Sequence, residues 1–308
     1  MKKNIISEKH KGFFSKRKDL LFCIGMLLLP TLQFIVFYIV TNINSFALSF
    51  QRYEYGSFVG AGWVNFERVF REIAHNTEII TAFKNSFLVY GVKLVVSIPL
   101  SILFTFYVFK KFFLHGFFKV MMFLPSILSL LTLCLLYRYF CDQAVPELAQ
   151  KLFGAEIQGL FSNLDTEYFM VMFAFVFFGL GTTMLLYLGA MNGINESVLE
   201  ASEIDGASNW KQLICVVVPM IFPTVRTFFV YGIASLFADQ FNLFSFYGAT
   251  ANPRYQTIGY YFYKLISESG GEANYPYVAA FGLTLSIVLI PVALLINRLM
   301  EKVQQRLL

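Results

Sequence analysis

Between residues 192 and 215 the chain carries four carboxylates, Glu196, Glu200, Glu203 and Asp205, against one cation, Lys211. That imbalance suits docking of a basic partner rather than bond-making chemistry. A second group, Asp239, Gln240 and Asn242, lies amid Phe237, Phe241 and Phe244. Hydrogen-bonding groups beside aromatic faces suit a sugar, which offers hydroxyls at its edge and C–H faces to stack on rings. Asp239 and Asn242 are three apart and would share one helix face. Gly179, Gly181, Thr182 and Thr183 form a run of small residues that either borders a solute or lets helices pack closely.

Other chemistries lack their parts. His10, His75 and His115 lie apart and outside the apolar runs, so an intramembrane hydrolase has no histidine to pair with a nucleophile or carboxylate. Cys23, Cys134, Cys141 and Cys215 show neither CxxC nor metal-ligand spacing and read as small buried hydrophobes, so no metal is expected. The sequence contains no phosphate-cradling GxxxxGK[ST] loop. A channel would call for a filter loop or a charged ring, and neither is evident.

The elements that must position these residues are membrane spans. The chain of 308 residues is 57% hydrophobic and 14% charged, with a mean hydropathy of +0.63. Soluble chains carry roughly 25% charged residues, and here the deficit falls in long apolar runs. Six reach spanning length: Leu20–Val40, Ser86–Val108, Phe117–Phe140, Phe169–Met191, Val216–Gln240 and Tyr277–Met300. The first follows a basic leader (1–19) and is too long for a signal peptide, so it reads as a retained anchor. The six-span membrane body occupies 20–300, and 301–308 form a short tail. Pro30, Pro99, Pro125 and Pro291 fall within spans, where they either kink helices about a path or reflect ordinary membrane-helix composition.

Lys/Arg bias sets the orientation. The leader holds Lys2, Lys3, Lys9, Lys11, Lys16, Arg17 and Lys18, the second connection Lys110, Lys111 and Lys119, and the tail Lys302 and Arg306 beside Arg298. Both termini are therefore expected in the cytoplasm. Parity puts 192–215 there too, although it is acidic. Within it, Asn195-Glu196-Ser197 can cap a helix on which Val198, Ala201, Ile204 and Ala207 recur at helical spacing, and Gly206 ends or bends it. Helices that bind membrane surfaces are usually basic, so an acidic one implies a protein partner. Besides Lys119 and Arg298 in the terminal turns already counted for orientation, four charges fall inside spans. Lys93 and Arg138 lie near span ends and read as snorkelling to the interface. Arg226 is near mid-span and either lines a water-filled path, pairs across a dimer or makes a structural ion pair. Asp239 sits at the outer end of the fifth span.

Glu200-Ala201-Ser202, then Asp205-Gly206-Ala207, then Pro219 and Pro223, preceded by Met191-Asn192-Gly193-Ile194, resemble the "EAA" loop of ABC importer permeases of the sugar and glycerol-phosphate branch. Ser202 replaces the family's second alanine, and Asn195 a common proline. Phe58-Val59-Gly60 and Asn65-Phe66-Glu67-Arg68-Val69-Phe70 are similar to the first external loop of the maltose-permease-like subunit. Phe123-Leu124-Pro125, Phe241-Asn242-Leu243 and Tyr277-Val278-Ala279-Ala280 also match, whereas the external Gly-Gly-Pro is degraded to Gly248-Ala249-Thr250-Ala251-Asn252-Pro253.

The resemblance implies an all-α integral membrane protein of the type I importer fold, with six spans and a short cytoplasmic coupling helix. It implies a non-catalytic subunit that joins a second permease, an ATPase dimer that binds the ATP, and an extracytoplasmic solute-binding protein, with no nucleic acid involved. Glu200, Ala201, Ser202, Asp205, Gly206 and Ala207 would form the ATPase-coupling loop. The solute path would involve Gly179, which resembles a family glycine at the sugar site, with Thr182, Arg226, Asp239, Gln240 and Asn242. The solute is expected to be a carbohydrate. A peptide or polyamine importer, or a membrane scaffold that docks a cytoplasmic protein through the same loop, are the alternatives.

Overall fold

A computed structural model describes residues 19–268 and 271–307; most of the basic leader, with His10, lies outside the described residues. The chain forms two compact units, residues 1–69 with 272–283 and residues 70–271 with 284–308.

In the first unit, α1 (Asp19–Ser49) is apolar along its length and its most hydropathic stretch is unburied. It leads into a hairpin, β1 (Gln51–Glu54) antiparallel to β2 (Ser57–Gly60), closed through Tyr55 and Gly56 at positive φ. Asn65, at the start of α2 (Val64–His75), donates to the Ser49 and Gln51 carbonyls at 2.9 and 2.6 Å and fixes the hairpin to the helix end. The Arg68 guanidinium lies 4.2 Å from the Tyr277 ring centroid.

The second unit contains α3 (Thr77–Phe109), α4 (His115–Ile127), α5 (Leu130–Phe153), α6 (Leu164–Asn192), α7 (Glu196–Ile204), α8 (Asn209–Ala234), α9 (Leu243–Tyr247) and α10 (Ile258–Ser267). The long α11 (Tyr275–Leu307) begins in the first unit and ends in the second. α3 packs along α6, and α4 packs on α6 where Gly181 allows it, since a Cβ there would stand 2.5 Å from the Met122 carbonyl oxygen.

Prolines shape the long helices. π turns occupy Lys93–Ser97 in α3, Phe140–Ala144 in α5 and Leu213–Val217 in α8, each two residues before Pro99, Pro146 or Pro219. Proline has no N–H to donate. The residue before each one donates five residues back, Ile98 to Lys93, Val145 to Phe140 and Val218 to Leu213, so the widened turn absorbs the missing bond without breaking the helix.

Among the described residues, five helices are long and apolar enough to cross a membrane, and a sixth crossing exists only if the bent pair α4 and α5 counts as one. The expected continuous third span, Phe117–Phe140, is thus corrected: it bends by 108° after Ile127, where Leu128 and Ser129 turn extended. The fifth span is displaced as well. It begins at Asn209 and ends at Ala234 rather than running from Val216 to Gln240.

Candidate functional site

The acidic segment forms the helix its spacing predicts. Asn195 caps α7 by accepting the Ser197 amide at 3.1 Å. Asp205 closes it, and Gly206 at φ +72° turns the chain into the left-handed region that a side chain would strain. Ser208 caps α8. Glu200, Ala201, Asp205 and Gly206 are exposed, and so is Ile204 at 86%, whereas Ser202 and Ala207 are half-buried toward the body.

The inner side of α7 is held at two points that sequence reasoning missed. Buried Gln212, on the first turn of α8, donates through Nε2 to the Leu199 carbonyl at 3.1 Å and to Ser202 Oγ at 2.7 Å. Lys110, at the end of α3, meets Glu203 Oε1 at 2.6 Å, and this bond with its charge holds the Glu203 carboxyl below the usual carboxylate range. The Ser202 departure from alanine therefore serves the internal attachment and leaves the exposed face unaltered. Lys110 had a signal, the first of two adjacent lysines at a span end, but it bore only on orientation.

A cavity of about 170 Å³ opens among α3, α6 and α8, with Lys93, Ser97, Phe175, Gly179, Thr183 and Tyr187 on its walls. A Cβ on Gly179 would meet nothing, so this glycine borders open space, while Gly181 serves packing. Thr182 is exposed and outside the lining; Thr183 takes the place expected of it and bonds Ser101 Oγ at 2.8 Å. Lys93 stands at the midpoint of the 33-residue α3, within the apolar run that begins at Ser86. A charge at the centre of a span costs about 2.5–3.5 kcal/mol unless it faces a cavity or a partner, and Lys93 faces the cavity. Its ammonium lies 5.6 Å from the Tyr231 ring centroid.

Asp239, Gln240 and Asn242 do not share a helix face. α8 ends before them, and Phe241 and Asn242 both take positive φ (55° and 57°), a conformation ordinary residues adopt only at a cost. The tertiary setting imposes it: Thr257 Oγ1 donates to the Asp239 carbonyl at 2.6 Å, and Asp239 Oδ1 accepts the Phe241 amide at 2.9 Å. Asp239 and Lys93 border a small crevice whose lining omits Gln240 and Asn242. Arg226 donates to Gln304 Oε1 at 3.1 Å, a neutral partner rather than the carboxylate of an ion pair.

Arg138 pairs with Asp142 at 3.7 Å and lies over the Phe161 and Tyr247 rings. Beside it, buried Glu167 accepts the Tyr247 hydroxyl at 2.7 Å and the Tyr255 hydroxyl at 2.5 Å, and burial with this carboxylate pushes both phenols upward.

A family described as "Binding-protein-dependent transport system inner membrane component" matches residues 97–308, more than half of the chain. The chain belongs to this family. The permease is 24% identical over 271 residues to the arabinooligosaccharides transport system permease protein AraP of Bacillus subtilis (strain 168), covering 86% of this chain and 83% of the relative. It is 23% identical over 270 residues to the sn-glycerol-3-phosphate transport system permease protein UgpA of Yersinia pestis, covering 87% and 86%. Among solved structures, a chain of a bacterial ABC transporter involved in the import of the acidic polysaccharide alginate superposes with a TM-score of 0.74 at 20% identity, covering 93% of this permease and 96% of that chain. The fold is thus that of a type I importer permease, a multi-pass membrane protein and a transport subunit rather than an enzyme.

Proposed function

We propose that this permease is half of the translocation path of an ATP-driven importer for a carbohydrate, and that α7 is its coupling helix. The observation that carries the reading is the combination at α7: an exposed face with Glu200, Ile204 and Asp205, and an inner face tied to α3 through Lys110 and to α8 through Gln212. A force applied to that face reaches two long helices that border the cavity. The carbohydrate assignment is supported by relatives whose names specify arabinooligosaccharides, lactose and multiple sugars.

The remaining parts come from partners. A basic groove on a cytoplasmic ATPase dimer receives Glu200 and Asp205, and that dimer binds the ATP. A second permease completes the path and meets α1, whose apolar faces this chain leaves unburied. A solute-binding protein delivers the sugar from outside, as the related alginate importer in complex with a sugar-bound periplasmic protein suggests. Both termini lie in the cytoplasm, in keeping with the basic residues beside them. Closure of the ATPase pair pulls α7 inward, and the spans rock between two packings around the cavity at Gly179.

The test is charge reversal at Glu200. In cells, Glu200→Lys is expected to abolish sugar uptake and to release the ATPase while the permease stays in the membrane. Unchanged uptake would overturn the coupling assignment. Retained ATPase binding by a permease that never supports uptake of any solute would favour a scaffold.

A further inference from the structure

We infer that the cavity of the permease is built for a saccharide bearing a carboxylate, with Lys93 as the residue that receives it. The inference rests on the carbohydrate-permease reading and names the solute class within it.

Two independent observations point to a ligand. The first is Lys93 itself, at the midpoint of α3 and on the cavity wall, with no carboxylate of the described residues at ion-pair distance. The nearby acid, Asp239, which borders the neighbouring crevice with Lys93, accepts the Phe241 amide at Oδ1. The Tyr231 face beside the ammonium moderates the charge without neutralising it. The second is Tyr187. It lines the same cavity, its residue is fully buried, and its hydroxyl has no hydrogen-bond partner. A buried hydroxyl is ordinarily satisfied, so this one awaits a group that enters.

The rest of the wall suits a sugar ring. Phe175 and Phe228 offer apolar faces, and Gly179 leaves room beside them. A lone lysine is a compact point charge, fit for a monovalent carboxylate; a phosphate dianion calls for a guanidinium fork or several donors. The same positive charge repels a polyamine, which sets this site against that alternative solute.

The experiment uses the full importer in proteoliposomes with its binding protein, and three labelled probes: digalacturonate, the neutral galactose disaccharide and galactose phosphate. Wild type is expected to import digalacturonate with the lowest KM. Lys93→Met should raise that KM at least tenfold while import of the neutral disaccharide changes less than twofold, and Lys93→Arg should restore most of the difference. Tyr187→Phe should raise KM for both disaccharides. Equal losses for acidic and neutral sugar in Lys93→Met, or no loss, would overturn the inference. So would a wild-type importer that moves only the neutral disaccharide, which leaves the permease reading intact, or one that prefers galactose phosphate. An assembled importer that moves no saccharide overturns the carbohydrate reading and this inference with it.

Discussion

Gln212 Nε2 donates to Ser202 Oγ at 2.7 Å across the turn between α7 and α8. Ser202 in turn donates to the Leu199 carbonyl, which Gln212 also reaches, so one buried amide and one hydroxyl close a small network under the exposed face. A short helix of nine residues has little stability of its own. Its position is set by this network and by Lys110.

Removal of Gln212 should therefore loosen α7 more than removal of Ser202. Each bond contributes about 1 kcal/mol, so Gln212→Ala, which removes two, is expected to raise hydrogen exchange across 196–204 roughly thirtyfold, and Ser202→Ala, which removes one of them, by less. Equal protection in wild type and Gln212→Ala would show that α7 is held elsewhere.

The Lys110–Glu203 pair is exposed on the Glu203 side, and exposed pairs contribute little. Because Lys110 lowers the Glu203 value, the contribution is fully present above the ordinary glutamate value of about 4.3 and is lost as pH falls below it. Exchange at α7 should thus be insensitive to the pair's titration between pH 6 and 8. Lys110→Glu should increase exchange, and Lys110→Glu with Glu203→Lys should recover it; failure of the double reversal would mark Lys110 as a packing residue.

Glu167 binds two tyrosine hydroxyls in a buried setting. Glu167→Ala leaves both donors unpaired and should lower stability by about 3 kcal/mol, read as thermal unfolding in detergent. Tyr247 and Tyr255 have raised values, so their contribution holds below the unfolded value of about 10 and declines as pH rises past it. Tyr247→Phe with Tyr255→Phe should flatten that alkaline decline.

Gly179 and Gly181 are separated by a single residue of α6, Leu180, and have opposite surroundings. Gly181→Leu should prevent α4 from packing on α6 and reduce the folded yield severely. Gly179→Ala should fold normally and change only the KM for solute. Similar folded yields for Gly181→Leu and Gly179→Ala would contradict the close approach at Met122.

The acidic helix was legible because its determinants are local: a capping asparagine, helical spacing and a terminal glycine within fifteen residues. Spans announced themselves through uninterrupted apolar runs. The outward extension of α3 was not legible in hydropathy, because the helix begins nine residues before its apolar run, at Thr77, capped by Asn76 and carrying Glu78 and Lys84 in its outer turns. The end of α8 was illegible for another reason. Nothing between Ser235 and Phe241 is a proline or glycine, and the break depends on Thr257 and on Gly259, whose Cβ position would lie 2.5 Å from the Ala238 carbonyl oxygen. Leu128 and Ser129 hide the bend between α4 and α5 in the same way, since neither residue forbids a helix.

The most direct test of the central claim is purification of the tagged chain from its native membranes in mild detergent, followed by mass spectrometry of the proteins retained. The account predicts recovery of a second permease, an ATPase and a solute-binding protein, with the ATPase lost from Glu200→Lys. Recovery of the chain alone, under conditions that keep a known importer intact, would contradict it.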